Sequence, residues 1–327
     1  MKRLQPELLL QETRSGLVEL EYYGYIVHCD KNKKIKTLGK TNGDYFFHRS
    51  CAKPLQASII DDFDTKEFFN LSDEEIAVCC ASHTGDPTHQ DLIISLLKKA
   101  ELKVDNLQCP IIEPLSLEEQ KRTDNYTKLH NNCSAKHALM LAVCRQNGWH
   151  ITNYLEKEHP LQIKIYEKIK DLCESGYDLP FTLDGCTAPN FATTLEDLTK
   201  GFWNLFFSGK YPSIQKAFEV DPMILGGEKR LDTQIMQLNN QLKAKVGAGG
   251  LCSVINKESK EALSFKIIDA DMKARSIIVI ETLIKIGWLD INSIDENLLK
   301  NFLNKTVTTE TGQEIGEYRI VFDKLFD

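Results

Sequence analysis

Strand-like patterning in this chain is confined to its two ends, and that placement limits the possible folds more than any other feature. Residues 23–28 and 33–38 near the start, and 261–268 and 317–322 near the finish, are short runs rich in strand formers. Val18 to Tyr22 alternates with period two, and Asp30, Asn32 and Asn42-Gly43 supply turn chemistry, so 16–40 reads as a hairpin. The middle is helical in pattern. Ser72 with Glu75 three residues on is a helix entry, and 89–102, 136–146, 160–174, 191–207 and 272–288 carry helical periodicity or stop signals. Strands at both ends around a helical middle predict a mixed α/β fold of the α+β kind, without alternating βαβ units. With no repeat, low-complexity tract or linker, the expected organisation is a single domain over 1–327. Its β-rich part comes from the chain ends and its helical part from roughly 50–240.

Composition narrows the function. The net charge of −7 carries no electrostatic footprint for nucleic acid. Lys2 and Arg3 precede only the short apolar run Leu8 to Leu10, which is not a signal-peptide pattern. No stretch approaches the roughly 20 apolar residues that span a bilayer. A cytoplasmic protein without membrane partners is expected, and its ten scattered cysteines are then expected to be free thiols.

The segment Arg49-Ser50-Cys51-Ala52-Lys53-Pro54-Leu55-Gln56 opens an apolar helical run. Residues i and i+3 share a helix face, which would place Lys53 beside Ser50. A serine hydroxyl needs a base to become a nucleophile, and a lysine serves when burial or a neighbouring cation lowers its pKa. Arg49 is placed to aid that shift or to hold a substrate carboxylate. Taken alone, Ser-x-x-Lys is equally a capping serine with a solvated lysine one turn later.

Three further clusters are dense in polar residues. Ala81-Ser82-His83-Thr84-Gly85-Asp86 follows an apolar run, and Ser82 would support a site with two serines. His130-Asn131-Asn132-Cys133-Ser134-Ala135-Lys136-His137 opens an apolar helix, a common setting for ligand contacts at Asn131 and His137. Asp184-Gly185-Cys186-Thr187-Ala188-Pro189-Asn190 is expected to open another helix, with Asp184 and Cys186 as orienting groups or ligands. The spacing of Cys133 and Cys186 is not that of a zinc finger.

In order along the chain these clusters, with Lys245-Val-Gly-Ala-Gly-Gly and Phe265-Lys266-Ile-Ile-Asp269, resemble the rhizobial-type (class 3) L-asparaginases. The motifs run from residue 49 to 269. The resemblance implies a fold like the serine β-lactamases and glutaminases, with a central antiparallel sheet flanked by helices, and a homodimer. It implies a substrate, L-asparagine, and two Ser–Lys pairs, Ser50 with Lys53 and Ser82 with Lys266. It implies zinc held by Cys133, Lys136 and Cys186, with Asp184 behind them and Cys252 nearby. Arg49, Asn131, His137 and Asp184 become the candidates for holding substrate. A lysine ligand must be neutral to donate its lone pair, so such a site would weaken as pH falls.

Two positions depart from the family pattern. Ala135 stands where glycine is usual, and Gly249 where glutamate is expected. Neither touches the expected nucleophile or metal ligands. The alternatives are a glutaminase or other small-amide amidase on the same fold, a zinc- or ligand-binding homologue without activity, and a cysteine hydrolase using Cys133 with His130 or His137.

Overall fold

The short apolar run Leu8–Leu10 lies in a strand, β1 (Glu7–Arg14), whose Leu9 and Leu10 are fully buried. The computed structural model describes residues 5–292, 305–322 and 325–326, so Lys2 and Arg3 fall outside the described residues. The alternating segment near the start is β2 (Leu17–Cys29), followed by β3 (Ile35–Leu38) and the short β4 (Phe46–Phe47). β5 (Phe181–Leu183) and β6 (Pro189–Thr193) interrupt the helical middle. From the second half come β7 (Leu242–Gly247), β8 (Leu251–Asn256), β9 (Glu261–Ile267), β10 (Thr306–Thr308) and β11 (Glu314–Ile320).

The main sheet is antiparallel in the order β10-β11-β1-β2-β9-β8-β7, with β3 beside β2. Both chain ends therefore build one sheet, as the patterning predicts. β4, β6 and β5 form a second, three-stranded sheet. The helix Leu195–Phe207 packs on β2, β8 and β9, and the helix Met272–Lys285 packs on β1. No helix of the described residues is long and apolar enough to cross a membrane.

Helix boundaries follow local chemistry. Ser72 and Glu75 form the expected reciprocal cap, worth about 1 kcal/mol, on Asp73–Cys80. Asp86 caps Pro87–Lys99, and Pro160 stands in the first turn of Pro160–Leu172. Two expectations fail. The segment 184–190 does not open a helix; it is the turn of the β5–β6 hairpin, closed by Asp184 N–H to Ala188 O at 2.9 Å and Thr187 N–H to Asp184 O at 2.9 Å. Helix 191–207 begins only at Leu195, where Thr194 accepts from Asp197 N–H. Phe191 and Thr193 are strand formers, and cross-strand pairing with Phe181 and Phe46 satisfies them better than a helix would.

β7 and β8 were not visible as strands because both are buried throughout and lack alternation. Their turn uses Gly249 (φ +70°) and Gly250 (φ +76°), and a Cβ at residue 250 would lie 2.1 Å from Ile267 O, so glycine is obligatory there.

Candidate active site

Ser50 sits in a 3₁₀ turn, Arg49–Ala52, that runs directly into the helix Lys53–Ala57, with Pro54 in its first turn. The end of β7 presses on this turn: a Cβ at Gly247 would lie 3.0 Å from Cys51 N. Arg49 holds a left-handed backbone (φ 49°), a costly conformation for a residue with a Cβ. Its amide donates to Asn190 Oδ1 at 3.3 Å and its guanidinium meets Asp184 at 2.7 Å. Ser50 itself is partly exposed.

Lys53 is fully buried, and its amine does not bond Ser50 Oγ. Its partners are Ala81 O at 2.8 Å, Asn132 O at 2.7 Å and Ser82 Oγ at 3.2 Å. Burial lowers its pKa to about 8. Ser82, just past the helix Asp73–Cys80, is only 3% exposed. Its second amine is Lys245 on β7, also at 3.2 Å. Lys245 further donates to Val246 O at 2.9 Å and pairs with Asp232 at 3.4 Å.

Lys266 does not join Ser82. It lies on β9, hydrogen-bonds the carbonyls of Gly249 and Ile267, and lines a cleft of roughly 460 Å³ with Arg49, Phe46, Phe47, Leu183 and Gly249. Arg49 connects the cleft wall to Ser50. Lys245 lies within the glycine-loop motif, yet nothing in its spacing distinguishes it from Lys243 or Lys266; only the register of β7 aims it at Ser82.

Cys133, Lys136 and Cys186 come together in a buried cluster. Lys136 Nζ lies 3.3 Å from Cys186 Sγ. Contact with the Cys133 thiol, and then the Lys136 charge, drive the Cys186 pKa down, while the same contact and burial drive Cys133 up. Two cysteines and a lysine are donor types that suit a soft divalent ion, and Cys133 and Lys136 would each have to give up a proton to hold one. Among the described residues no group of three His, Cys, Asp or Glu is placed to hold a metal, and this cluster has two such residues, with lysine the third. Asp184 lies behind the cluster, where its charge helps raise the Lys136 pKa.

The other expected contacts divide. The Asn131 amide is used by the backbone, accepting from Cys133 N–H at 2.9 Å and donating to Pro110 O at 2.8 Å. That commits it to shaping the loop. His137 is buried, bonded through Nδ1 to Tyr154 at 2.7 Å, with Nε2 unpartnered. Cys252 is buried in β8 near Cys51 and Lys245. All ten cysteines are free and buried.

A family model described as L-asparaginase II matches residues 10–320. No curated protein matches the chain. Among solved structures, a β-lactamase from Mycobacterium bovis is 12% identical, covering 82% of this chain and 95% of its own with a TM-score of 0.42. A candidate β-lactamase from Bacteroides dorei is also 12% identical, covering 75% and 85% with a TM-score of 0.41.

Proposed function

The chain belongs to the L-asparaginase II family, and from that we propose that it hydrolyses the side-chain amide of L-asparagine to L-aspartate and ammonia through a serine. The observation that carries the reading is the convergence of two lysine amines on one serine hydroxyl, Lys53 and Lys245 each 3.2 Å from Ser82 Oγ. Structural serines have no need of two buried amines.

Ser50 is the hydroxyl assigned to the attack, being partly exposed and next in the chain to Arg49, which lines the cleft. Its oxygen attacks the amide carbon while the buried Lys53–Ser82 couple takes up its proton. The C–N bond breaks, the nitrogen leaves as ammonia with a returned proton, and an aspartyl ester remains on Ser50. Water then cleaves that ester, its proton passing to the same couple. Lys245 supplies positive charge to Ser82 throughout. Arg49, held by Asp184, and Lys266 offer cations to the substrate carboxylate.

Cys133, Lys136 and Cys186 would hold zinc. The ion would add positive charge beside the substrate. Zinc content by elemental analysis is expected near one per chain in the wild type and near zero in C133A/C186A; equal contents would remove the metal from the reading. The homodimer implied by the resemblance and the cytoplasmic residence expected from the sequence belong to the same proposal, and sedimentation velocity reads the first.

Ammonia release from asparagine, with glutamine in parallel, tests the reaction. S50A is expected to lose on the order of 10⁴-fold in kcat, and S82A about 10²- to 10⁴-fold. Wild-type turnover by S50A would transfer the attack to another group.

A further inference from the structure

Two lysines against one serine pose a question of proton bookkeeping, and the counter-charge beside one of them answers it. Lys53 faces two carbonyls, Ala81 O and Asn132 O, which can only accept. In its neutral form Lys53 would give its two N–H groups to them and turn its lone pair to the third neighbour, Ser82 Oγ at 3.2 Å. Lys245 faces Val246 O, the Asp232 carboxylate and Ser82 Oγ. Each lysine therefore meets two obligate acceptors and the Ser82 hydroxyl, and the difference between them is that one acceptor at Lys245 is a carboxylate. With Lys245 charged and Lys53 neutral, the single hydroxyl proton of Ser82 would point at Lys53 while Lys245 donates to the oxygen.

One carboxylate separates the two amines. Asp232 opens the helix Leu231–Leu238 and is fully buried. Its Oδ2 takes both Lys245 Nζ, at 3.4 Å, and Val246 N–H, at 3.2 Å, which ties the helix to β7. Its Oδ1 accepts no hydrogen bond, and Arg230 Nε stands 4.0 Å away. Lys53 has no ion pair among the described residues. The loop at Gly226 and Gly227 closes this arrangement. A Cβ at 226 would lie 3.1 Å from Asp232 Oδ1, and one at 227 would lie 2.3 Å from Thr84 Oγ1.

We propose that Asp232 is a positioning residue of the reaction, fixing Lys245 as the ammonium that donates to Ser82 Oγ and so leaving Lys53 as the amine that exchanges protons. This rests on the reading of the Lys53–Ser82 couple given above.

The other groups around Lys245 do not compete for the role. Burial pushes the Cys51 and Cys80 thiols up to about 12 and Cys252 higher still, so all three are neutral. Arg275 bonds Gly247 O at 2.9 Å and, like Arg230 and Lys53, is cationic or neutral and offers no counter-charge. Burial opposes the charge on Asp232, yet Lys245, Arg230 and the Val246 N–H outweigh it and hold the carboxyl below its usual range. A buried charge without its partner is strongly disfavoured, so Asp232 and Lys245 keep each other ionised.

The test compares wild type, D232N and D232E as full-length protein, across pH, by two readouts. One is ammonia release from asparagine. The other is labelling by an alkyl fluorophosphonate, which reports serine reactivity whatever the natural substrate. D232N is expected to lose at least about tenfold in kcat with KM changed less than about threefold. The pH profile is expected to shift by at least about one unit in both readouts, because D232N removes the carboxylate that Lys245 meets at 3.4 Å. D232E is expected to restore most of that shift. Unchanged limbs in D232N, or loss of rate without a shift and without rescue, would overturn the assignment. Should D232N fail to fold, K245Q is compared with D232N/K245Q. Equal labelling profiles support action through Lys245, and a further tenfold loss in the double variant overturns it. Wild type that is labelled yet silent on asparagine refutes the proposed substrate while leaving Asp232 to its own test. Wild type that is neither labelled nor active refutes both.

Discussion

Lys53 and Lys245 show how position decides what a lysine does. Both are buried and both touch Ser82, but only one meets a carboxylate. Burial lowers the Lys53 pKa to about 8, so near neutral pH it is still largely protonated. Its neutral form is the one that accepts a proton. Activity on asparagine is therefore expected to rise about tenfold per pH unit below about 8 and to level off above it, read from kcat/KM against pH. A flat profile from pH 6 to 9 would contradict the role of Lys53. The residue types at this site stand in motifs visible in the sequence: Lys53 meets Ser82, and Lys136 meets Cys186. The second amine at Ser82 was not legible there. Lys245 and Lys266 are both basic residues in strand segments, and only the register of β7 and β9 separates them. Asp232 left no local signal, because its meaning depends on a strand that begins ten residues later.

At the scale of elements, capping and turn chemistry were the most legible. The Ser72–Glu75 cap, the Pro160 entry and the N-terminal hairpin all stand where their residues place them. The failures share one cause. Segments buried on both faces carry no alternation, so β7 and β8 gave no period to read. The segment 184–193 holds Gly185, Pro189 and strand formers close together, which suits a hairpin as well as a helix entry. Long-range pairing of Thr193 with Phe46 settles it for the hairpin. That pairing matters for the site, since it brings Asp184 and Asn190 to Arg49 and sets Cys186 against Lys136. The departure at Gly249 also finds an element-level reason. The residue turns β7 into β8 with a left-handed backbone, and Lys266 reaches its carbonyl in place of a side chain.

For the whole molecule, the sheet joins distant parts of the chain. β1 and β2 from the start pair with β9 and β11 from the finish, and this fixes β7 and β8 at the other side of the sheet, against the turn that bears Ser50. The helical middle then delivers Ser82 and the helix Ser134–Gln146 that bears Lys136. The candidate site is thus assembled from regions far apart in the chain, which is why motif order could suggest it and only tertiary structure could pair its members. The most direct measurement is the turnover of asparagine by K245M beside K266M. Loss of about 10²-fold or more in kcat for K245M, with K266M within about tenfold of wild type, is the predicted result. Full activity in K245M, with collapse in K266M, would contradict the convergence on Ser82.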